Sequence, residues 1–447
     1  MALLVGLDVG TSSAKAVVFS DQGEVVGAGR VRTPWITTSF GVELDAEELL
    51  NAAIEALWSA IDAVPGTTKV TAVGITSMGE SGVLVDQAGI PVAPVIAWHD
   101  SRDHEEVDAL RRDITADTFA ATTGKPLRGQ WAITKHRWLL GHVPSAVYAV
   151  RRFNIAEWVV RGLGGDEVTE LALACRTGWF DLSRRDWWPE GLAWSEATPE
   201  LMPPVVEAGM RVGQITRSDT HPRLRGAVLT VAGHDHQAAA VGVGATGEGD
   251  EVDSCGTAEA IVRSIPAYLK DEQVRDLAHA GITTDWSIQP GRWSLLAGTE
   301  GGLAMQRVLN AIGVDKDGLT ALDEAALDAP QGRIRIEGIG TGAVHLRNLV
   351  DGVTPGEVWR AVVDAATDEV TKLHNSMTDI VGEHQEIIVT GGWSHSAALM
   401  AAKRRRLGTL RLSPVQEAGA RGAAIYAGRA AGVFTSDGVF PGPMVSA

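Results

Sequence analysis

One short segment near the start of the chain carries residue types that bind phosphate and metal. Asp8 ends an apolar run and is followed by the turn Gly10-Thr11-Ser12, after which a second apolar run begins. The tip of such a β-hairpin offers backbone N–H groups and hydroxyls to phosphate oxygens. A carboxylate beside the tip can hold a phosphate-bound Mg²⁺. The alternative is an ordinary hairpin with a polar turn.

A carboxylate that could take a proton from an alcohol lies in the segment Gly233-His234-Asp235-His236-Gln237. The apolar run 227–231 predicts a strand before it, and the alanine-rich run 238–243 predicts a helix after it. Asp235 would then lie at a helix N-terminus, where partial positive charge favours its ionised form. Such a carboxylate can act as a general base in phosphoryl transfer. The structural alternative is helix capping.

Two glycine motifs follow in the second half of the chain. Ser254-Cys255-Gly256-Thr257 repeats the Gly-Thr tip between two apolar runs, and Gly391-Gly392 follows the buried strand predicted over 386–390. Bare backbone at Gly391-Gly392 could lie against the flat ring of a nucleoside, and a plain strand-to-helix turn is the alternative. The repeated hairpin predicts a duplicated α/β domain, with phosphates held from both sides of a cleft.

Trp98 ends a predicted strand and precedes the polar run His99-Asp100-Ser101-Arg102. A tryptophan with polar neighbours can stack on the C–H face of a sugar while the neighbours bind hydroxyls. A core position is the alternative for Trp98. The basic run Lys403-Arg404-Arg405-Arg406 lies on a predicted helix, and we interpret it as a solvated face.

Composition narrows the class of protein. The chain has 447 residues, enough for two domains. Its 39 basic and 56 acidic side chains leave a formal net charge of −17, which disfavours nucleic acid and anionic membranes as partners. Two distant cysteines, Cys175 and Cys255, predict buried free thiols in a reducing cytoplasm. With neither a signal-peptide pattern nor a long uncharged apolar run, we expect a cytoplasmic protein without membrane spans.

Periodicity predicts the elements that position these residues. The predicted elements are a helix over 45–64, a hairpin of 82–86 with 91–98, a largely helical stretch over 104–165, and a helix over 355–381 that leads into the strand 386–390. Trp58 is placed on the apolar side of the first helix. The tail after Gly432 is expected to be loosely held.

Taken together, these motifs resemble the FGGY family of carbohydrate kinases over nearly the whole chain. The segments that carry the resemblance are, in chain order, residues 7–15, 72–77, 98–102, 135–139, 177–181, 233–235, 254–257, 391–392 and 419–424. The resemblance implies an α/β fold of two actin-like, ribonuclease-H-type ATPase domains with a cleft between them. It also implies ATP and Mg²⁺ as co-substrates and a small sugar or polyol as phosphoryl acceptor.

The same resemblance implies a division at residues 1–235 and 236–447 and a role for each matched position. Asp235 would be the general base, and Asp8 and Asp235 would place Mg²⁺. The implied contacts to ATP are Gly10, Thr11, Ser12, Lys15, Gly256, Thr257, Gly391 and Gly392. The implied contacts to the sugar are Glu80, Trp98, Asp100, His236 and Gln237.

The acceptor loop departs from two subfamilies. Glycerol kinases carry Arg-Glu where this chain has Gly79-Glu80, and xylulokinases carry Gln-Met-His-Gly where it has Ser77-Met78-Gly79-Glu80. A ketose such as a ketopentose is the favoured acceptor, and glycerol or another polyol is the alternative. We expect the protein to form a homodimer, because two-fold homodimers are the commonest oligomers.

Proteins of other classes could share the hairpin tips. An actin-like or chaperone-type ATPase would use ATP as a conformational switch, and the Asp235 and Trp98 segments favour a kinase over it. A sugar-sensing regulator would need a DNA-reading element, which the sequence lacks. Retention of Asp8, Asp235 and both Gly-Thr tips argues against a homologue that only binds.

Overall fold

Each half of the chain is built on one twisted β-sheet with helices on its faces. The structure is a computed structural model that describes residues 2–315 and 317–442. The strands of the first half are β1 Leu3–Val9, β2 Ser13–Ser20, β3 Val25–Arg32, β4 Ile36–Thr37, β5 Val42–Leu44, β6 Val70–Ser77, β7 Gly82–Val85, β8 Val95–Ile96, β9 Arg151–Asn154, β10 Thr169–Glu170, β11 Phe180–Asp181, β12 Asp186–Trp187, β13 Val205–Val206 and β14 Val228–His234.

The second half contributes eight further strands. They are β15 Asp250–Cys255, β16 Glu259–Pro266, β17 Thr283–Trp286, β18 Arg292–Thr299, β19 Arg335–Glu337, β20 His345–Arg347, β21 Glu386–Thr390 and β22 Arg411–Leu412. The helices are α1 Ala46–Asp62, α2 His104–Asp113, α3 Ala116–Thr123, α4 Ala132–His142, α5 Ile155–Gly162, α6 Leu171–Cys175, α7 Pro189–Trp194, α8 Asp235–Gly242, α9 Asp271–His279, α10 Gly301–Ala311, α11 Leu319–Asp328, α12 Pro355–Val381, α13 Ala397–Leu407 and α14 Ala418–Ala430.

The first sheet has the strand order β14-β6-β1-β2-β3. β1 and β2 form the predicted antiparallel hairpin, in which Asp8 is paired with Lys15. β1, β6 and β14 run parallel, so their carboxyl ends meet at one edge of the sheet. Nearly every residue of β1 is buried, because helices α1 and α14 cover opposite faces of the sheet. This edge carries Asp8, the loop after β6, and Asp235.

The second sheet repeats that core arrangement in the order β17-β18-β16-β15-β21-β22. β15 and β16 form a hairpin, and β15 runs parallel to β21. The carboxyl ends of β15 and β21 therefore bring the second Gly-Thr tip beside Gly391. The same hairpin-plus-parallel-strand unit in both halves confirms the predicted α/β fold of two actin-like domains.

The last helix of the chain packs on the first sheet. Gly6 and Gly422 allow backbone to meet backbone, because a Cβ at Gly6 would overlap the Ala420 carbonyl and a Cβ at Gly422 would overlap the Ala238 carbonyl. Helices α8 and α14 therefore lie against each other between the two sheets. The division between residues 235 and 236 stays a prediction, and it falls at the start of α8.

The predicted hairpin of 82–86 with 91–98 and the predicted position of Trp58 differ from the structure. Segments 82–86 and 91–98 do not form one hairpin, because β7 pairs with β9 and β8 pairs with β5. Of the predicted hairpin, the structure retains only the turn and a bridge between Val85 and Pro91. Trp58 is 37% exposed although it was expected on the apolar side of α1, since alanines and leucines fill that contact.

The tail after Gly432 is packed as far as it is described. Phe440 is buried, and its ring centroid lies 5.3 Å from those of Phe19 and Phe434. The guanidinium of Arg421 lies over the Phe440 ring. The prediction of a loosely held tail is therefore wrong up to residue 442, and residues 443–447 lie outside the described part of the chain.

Candidate active site

The first hairpin tip is tied to the loop that contains Trp98. The Gly10 N–H donates to the Ser13 carbonyl at 3.1 Å and closes the turn. The Trp98 indole N–H donates to the Thr11 hydroxyl at 2.9 Å, and the Trp35 indole N–H donates to the Thr11 carbonyl at 2.7 Å. Trp98 is only partly buried. The predicted phosphate tip and the predicted sugar loop are thus one connected structure.

Asp8 and Asp235 form a pair of acids at the edge of the first sheet. Burial and the neighbouring Asp235 carboxylate raise the pKa of Asp8 to about 7. Burial, with Glu80 nearby, also raises the pKa of Asp235 to about 7, although its side chain remains 22% exposed. Asp8 Oδ1 is buried and has no hydrogen-bond partner among the described residues. A buried, unpartnered carboxylate oxygen fits a cation ligand.

Lys15 lies opposite Asp8 in the hairpin, but its ammonium is paired with a different acid. Its ammonium lies 2.9 Å from the Glu417 carboxylate, which precedes α14. Lys15 lowers the pKa of Asp8 only as a secondary influence. We infer that Lys15 serves the contact between the first hairpin and α14, and its phosphate contact stays a prediction.

Two histidines flank Asp235, which is the first residue of α8. The His236 N–H donates to Asp235 Oδ1 at 2.7 Å, and His234 Nε2 lies 3.3 Å from the same oxygen. Burial lowers the pKa of His234 well below its ordinary value and also lowers the pKa of His236. Both imidazoles are therefore neutral at pH 7, so neither supplies a permanent positive charge to the acids.

Glu80 lies in the loop after β6 and has a positive φ of 64°. Its carboxylate Oε1 accepts hydrogen bonds from Arg176 Nε at 2.8 Å and from Gln130 Nε2 at 3.0 Å. No described hydrogen bond uses Glu80 Oε2. Arg152 donates to the Glu80 carbonyl at 2.9 Å. The backbone and one carboxylate oxygen of Glu80 are thus fixed while the other oxygen remains available to a ligand.

Asp100 and Gln237 are engaged by the protein itself. The Asp100 carboxylate accepts from Arg102 and from the Val42 N–H, so it shapes the loop that contains Trp98. The Gln237 amide oxygen accepts from the Ile288 N–H at 2.8 Å, and its nitrogen donates to the Trp286 carbonyl at 3.3 Å. Gln237 therefore joins α8 to the segment 286–288, and direct sugar contacts by Asp100 and Gln237 stay predictions.

The second hairpin tip is exposed at Thr257, with Gly391 and Gly392 exposed beside it. Gly391 has φ 94°, and a Cβ there would lie 2.6 Å from the Cys255 carbonyl oxygen. A Cβ on Gly392 would meet no described atom within 4 Å. The predicted second phosphate motif and the predicted adenosine motif are therefore adjacent, and open space adjoins Gly392.

A buried cluster of charges lies beneath this second tip. Lys403 has 0% exposure and forms ion pairs with Asp253 and Glu259. The Cys255 thiol lies 3.4 Å from Asp253 Oδ1 and 3.5 Å from Glu259 Oε1. The interpretation of the whole run 403–406 as a solvated face is wrong, because its first residue points into the core.

The cluster of Asp253, Cys255 and Glu259 is the metal-ligand grouping found among the described residues. The Lys403 ammonium already supplies its positive charge. Burial, with Asp253 nearby, raises the pKa of Glu259 to about 7, which limits the net negative charge further. Both cysteines are free and buried, as the sequence predicts.

Some residues that shape the site are absent from the predicted set. Arg176 contacts Glu80 and also Asp285 on β17, and Lys125 pairs with the same Asp285. Arg176 stands alone between an apolar helix and the segment 177–181, and a lone basic residue in an apolar context was the available signal. No local sequence pattern indicates that Arg176 pairs with Asp285, which lies 109 residues further along the chain.

Two sheets that share a five-strand core topology, each with a Gly-Thr tip, and a pair of acids at the strand ends of the first sheet are the arrangement of the actin-like ATPase fold. A model described as "FGGY family of carbohydrate kinases, N-terminal domain" matches residues 3–242. The chain belongs to the FGGY family of carbohydrate kinases. Its class of reaction is therefore transfer of phosphate from ATP to an alcohol group of a small sugar or polyol.

Relatives and solved structures agree with this assignment. A glycerol kinase of Janthinobacterium sp. (strain Marseille) is 28% identical, with 97% of this chain and 91% of the relative covered. A xylulose kinase structure from Rhodospirillum rubrum is 22% identical, with TM-score 0.86 over 98% of this chain and 91% of that one. A gluconate kinase structure from Lactobacillus acidophilus is 18% identical, with TM-score 0.87 over 97% and 90%. At such identities the structures support the fold alone.

No helix within residues 2–315 and 317–442 combines the length and apolar character that a membrane span requires.

Proposed function

We propose that Asp235 is the general base that takes the proton from an acceptor hydroxyl as the γ-phosphoryl group of ATP is transferred to it. The observation that carries this proposal is the acid pair at the edge of the first sheet. A carboxylate whose pKa is raised to about 7 is well matched to exchange a proton near neutral pH. Its partial exposure leaves the group accessible to an acceptor.

Asp8 is proposed as the residue that places Mg²⁺, with Asp235 beside it. This assignment is supported by the buried, unpartnered Oδ1 of Asp8 and by the absence of a described ion pair to its carboxylate. When bound, the ion supplies positive charge to the phosphate oxygens. Because Asp8 lies near the end of the buried strand β1, its carboxylate oxygen would hold a bound ion in a fixed position.

The two tips are proposed to hold ATP from opposite sides. Gly10, Thr11 and Ser12 would donate to phosphate oxygens from the first half, and Gly256 and Thr257 from the second. Gly391 and Gly392 would lie against the nucleoside, which is supported by the open space beside Gly392. These groups align ATP, and alignment with charge stabilisation accounts for most of catalysis in phosphoryl transfer.

The acceptor is proposed to bind between Asp235, Glu80, Trp98 and His236. Glu80 Oε2 has no described partner, and the Trp98 loop is hydrogen-bonded to the phosphate tip at Thr11. A ketose such as a ketopentose remains our favoured acceptor. Glycerol is the second candidate because a relative covering 97% of the chain is a glycerol kinase.

The side chain at position 79 bears on that choice. A Cβ on Gly79 would lie 3.1 Å from Arg176 and His234. The arginine that glycerol kinases carry at this position, according to the resemblance, would therefore need both neighbours to move.

A sugar acid deserves its own assay as well, because Arg128 forms no ion pair with an acid among the described residues and its side chain bonds to Gln130.

A coupled ATP-consumption assay tests the proposed function. The purified protein is supplied with Mg²⁺, ATP and, one at a time, glycerol, C4 to C7 polyols, ketopentoses, ketohexoses and aldonates. We expect acceptor-dependent ATP use with one of these classes and its loss in Asp235→Asn. ATP hydrolysis that no acceptor stimulates would instead favour an ATPase that uses nucleotide as a switch. A cytoplasmic location and a homodimer stay predictions from the sequence.

A further inference from the structure

Arg176 connects the proposed acceptor loop to the second half of the molecule. Its guanidinium donates to Glu80 Oε1 through Nε at 2.8 Å and again through Nη2. The remaining nitrogen, Nη1, donates to Asp285 Oδ2 at 3.0 Å and to the Thr283 hydroxyl at 2.9 Å. Glu80 follows β6 of the first sheet, whereas Thr283 and Asp285 lie on β17 of the second. One side chain therefore joins both sheets.

The charges in this network balance. Lys125 lies 2.7 Å from Asp285 Oδ1 and donates to the carbonyls of Thr123 and Thr284. Two cations and two carboxylates are thus buried together, and the side chains of Arg176 and Asp285 are 2% and 1% exposed. The loss of one partner would leave an uncompensated charge in a place that water does not reach.

Glu80 needs such an anchor because its backbone is unfavourable. A φ of 64° lies in the left-handed region, where a residue with a Cβ costs about 1–2 kcal/mol. The preceding Gly79 packs against the Arg176 side chain, so the guanidinium and its carbon stem both constrain the loop. Trp131 lies beneath the Arg176 guanidinium at 5.1 Å and restricts it further.

We propose that Arg176 is a positioning residue for the acceptor: it holds Glu80 in its binding conformation by fixing the Glu80 carboxylate to Asp285 in the other half. The proposal rests on the proposed role of Glu80 in acceptor binding. Acceptor affinity is then set partly by Asp285, a residue of the second half. Arg176 acts on the acceptor through Glu80.

Steady-state kinetics of Arg176→Lys, Arg176→Met and Asp285→Asn test this. The acceptor is whichever of glycerol, D-xylulose and D-gluconate the wild type uses best, and its binding is also measured by calorimetry without ATP. We expect the acceptor KM and Kd to rise about tenfold or more in Arg176→Met, while the KM for ATP stays within about twofold. Arg176→Lys should recover part of the loss, and Asp285→Asn should show the same pattern more weakly.

Arg263→Met is the matched control. Arg263 is as deeply buried, on β16, where it pairs with Glu251 at 2.6 Å at the end of the hairpin opposite the tip. We expect this variant to melt at a lower temperature with an unchanged acceptor KM. If Arg176→Met does not fold, Arg176→Lys and Asp285→Asn decide the question.

An acceptor KM that is unchanged in folded Arg176→Lys and Asp285→Asn, or that rises equally with the KM for ATP, overturns the inference while the proposed function stands. A wild type that phosphorylates none of the acceptors contradicts the proposed function itself. In that case calorimetry with each of glycerol, D-xylulose and D-gluconate still compares binding between wild type and variants, and equal binding contradicts the role of Arg176 separately.

Discussion

The two Gly-Thr hairpin tips have one architecture and opposite charge arrangements. Among the described residues, no lysine or arginine forms an ion pair with Asp8 or Asp235 beside the first tip, and Lys15 is paired with Glu417. Beneath the second tip, Asp253 and Glu259 share the buried ammonium of Lys403. The described residues therefore give the first pair of acids no compensating cation, whereas Lys403 supplies one to the second pair.

This difference separates chemistry from structure within a duplicated fold. A buried pair of acids with its own cation stabilises the loop above it but has no free charge to offer a ligand. A pair without a cation is unfavourable until a positive ligand or a proton arrives. We therefore expect substitutions at the first tip to change turnover and substitutions at the second to change folding and nucleotide binding.

Asp235→Asn should have the largest effect. Removal of a positioned general base lowers kcat by about 10²–10⁴-fold, and the amide should still permit ATP to bind. Turnover with the best acceptor and the ATP-induced rise in melting temperature measure the two properties separately. Near-normal turnover in a folded Asp235→Asn variant would show that the first tip does not carry the base.

Lys403→Met should have the next largest effect and on a different property. Removing a buried cation from two carboxylates costs about 3–5 kcal/mol of folding free energy. Chemical denaturation measures this loss. The matched control is Arg404→Met, at the exposed neighbour in the same basic run, which should change the free energy of unfolding by no more than about 0.5 kcal/mol. Equal losses in the two variants would contradict the structural role of the second cluster.

Asp8→Asn should change how stability depends on pH. The pKa of Asp8 is raised from 3.8 to about 7 in the folded protein, so between these values the folded state holds the proton more tightly than the unfolded chain. The free energy of unfolding of the metal-free wild type therefore falls as pH rises through this window. Asn does not titrate, so part of this fall disappears.

Melting temperatures in EDTA between pH 5 and pH 8 check this expectation. Asp8→Asn should melt about 2–4 °C above the wild type at pH 8, and the gap should narrow toward pH 5. Added Mg²⁺ with ATP should stabilise the wild type more than the variant. A constant gap at every pH would mean that Asp8 is not the group whose burial costs stability.

Trp98→Phe should have the smallest effect. It removes the indole donor to the Thr11 hydroxyl, a hydrogen bond worth about 0.5–1.5 kcal/mol. We expect a severalfold rise in KM for the acceptor, larger than the rise in KM for ATP. Thr11→Val removes the other end of the same bond and should affect ATP more. Equal effects of both variants on both substrates would mean that the tip and the sugar loop act as one unit.

Much of the fold follows from local pattern. The helix 355–381 and the strand 386–390 occur at their predicted bounds, because long amphipathic or uniformly apolar runs dominate their own conformation. Local pattern did not indicate which strands the short strands pair with. β7 pairs with β9 from a distant segment, and nothing in residues 82–98 could indicate that competitor.

The candidate site divides in the same way. Asp8 and Asp235 stand at the ends of parallel strands in one sheet, so their meeting follows from the strands that deliver them. The link of Arg176 to Glu80 and Asp285 joins three separate stretches of chain. Ion pairs of this kind depend on distances that appear only after both sheets have packed.

The amino-acid sequence alone determined the strand-turn-strand units, their duplication and the type of chemical group at each strand end, because these depend on neighbours within a few residues. The tertiary structure decided which charges are balanced. It turned Lys15 toward Glu417 and Lys403 into the core, because the balance of a buried charge depends on every element that packs around it.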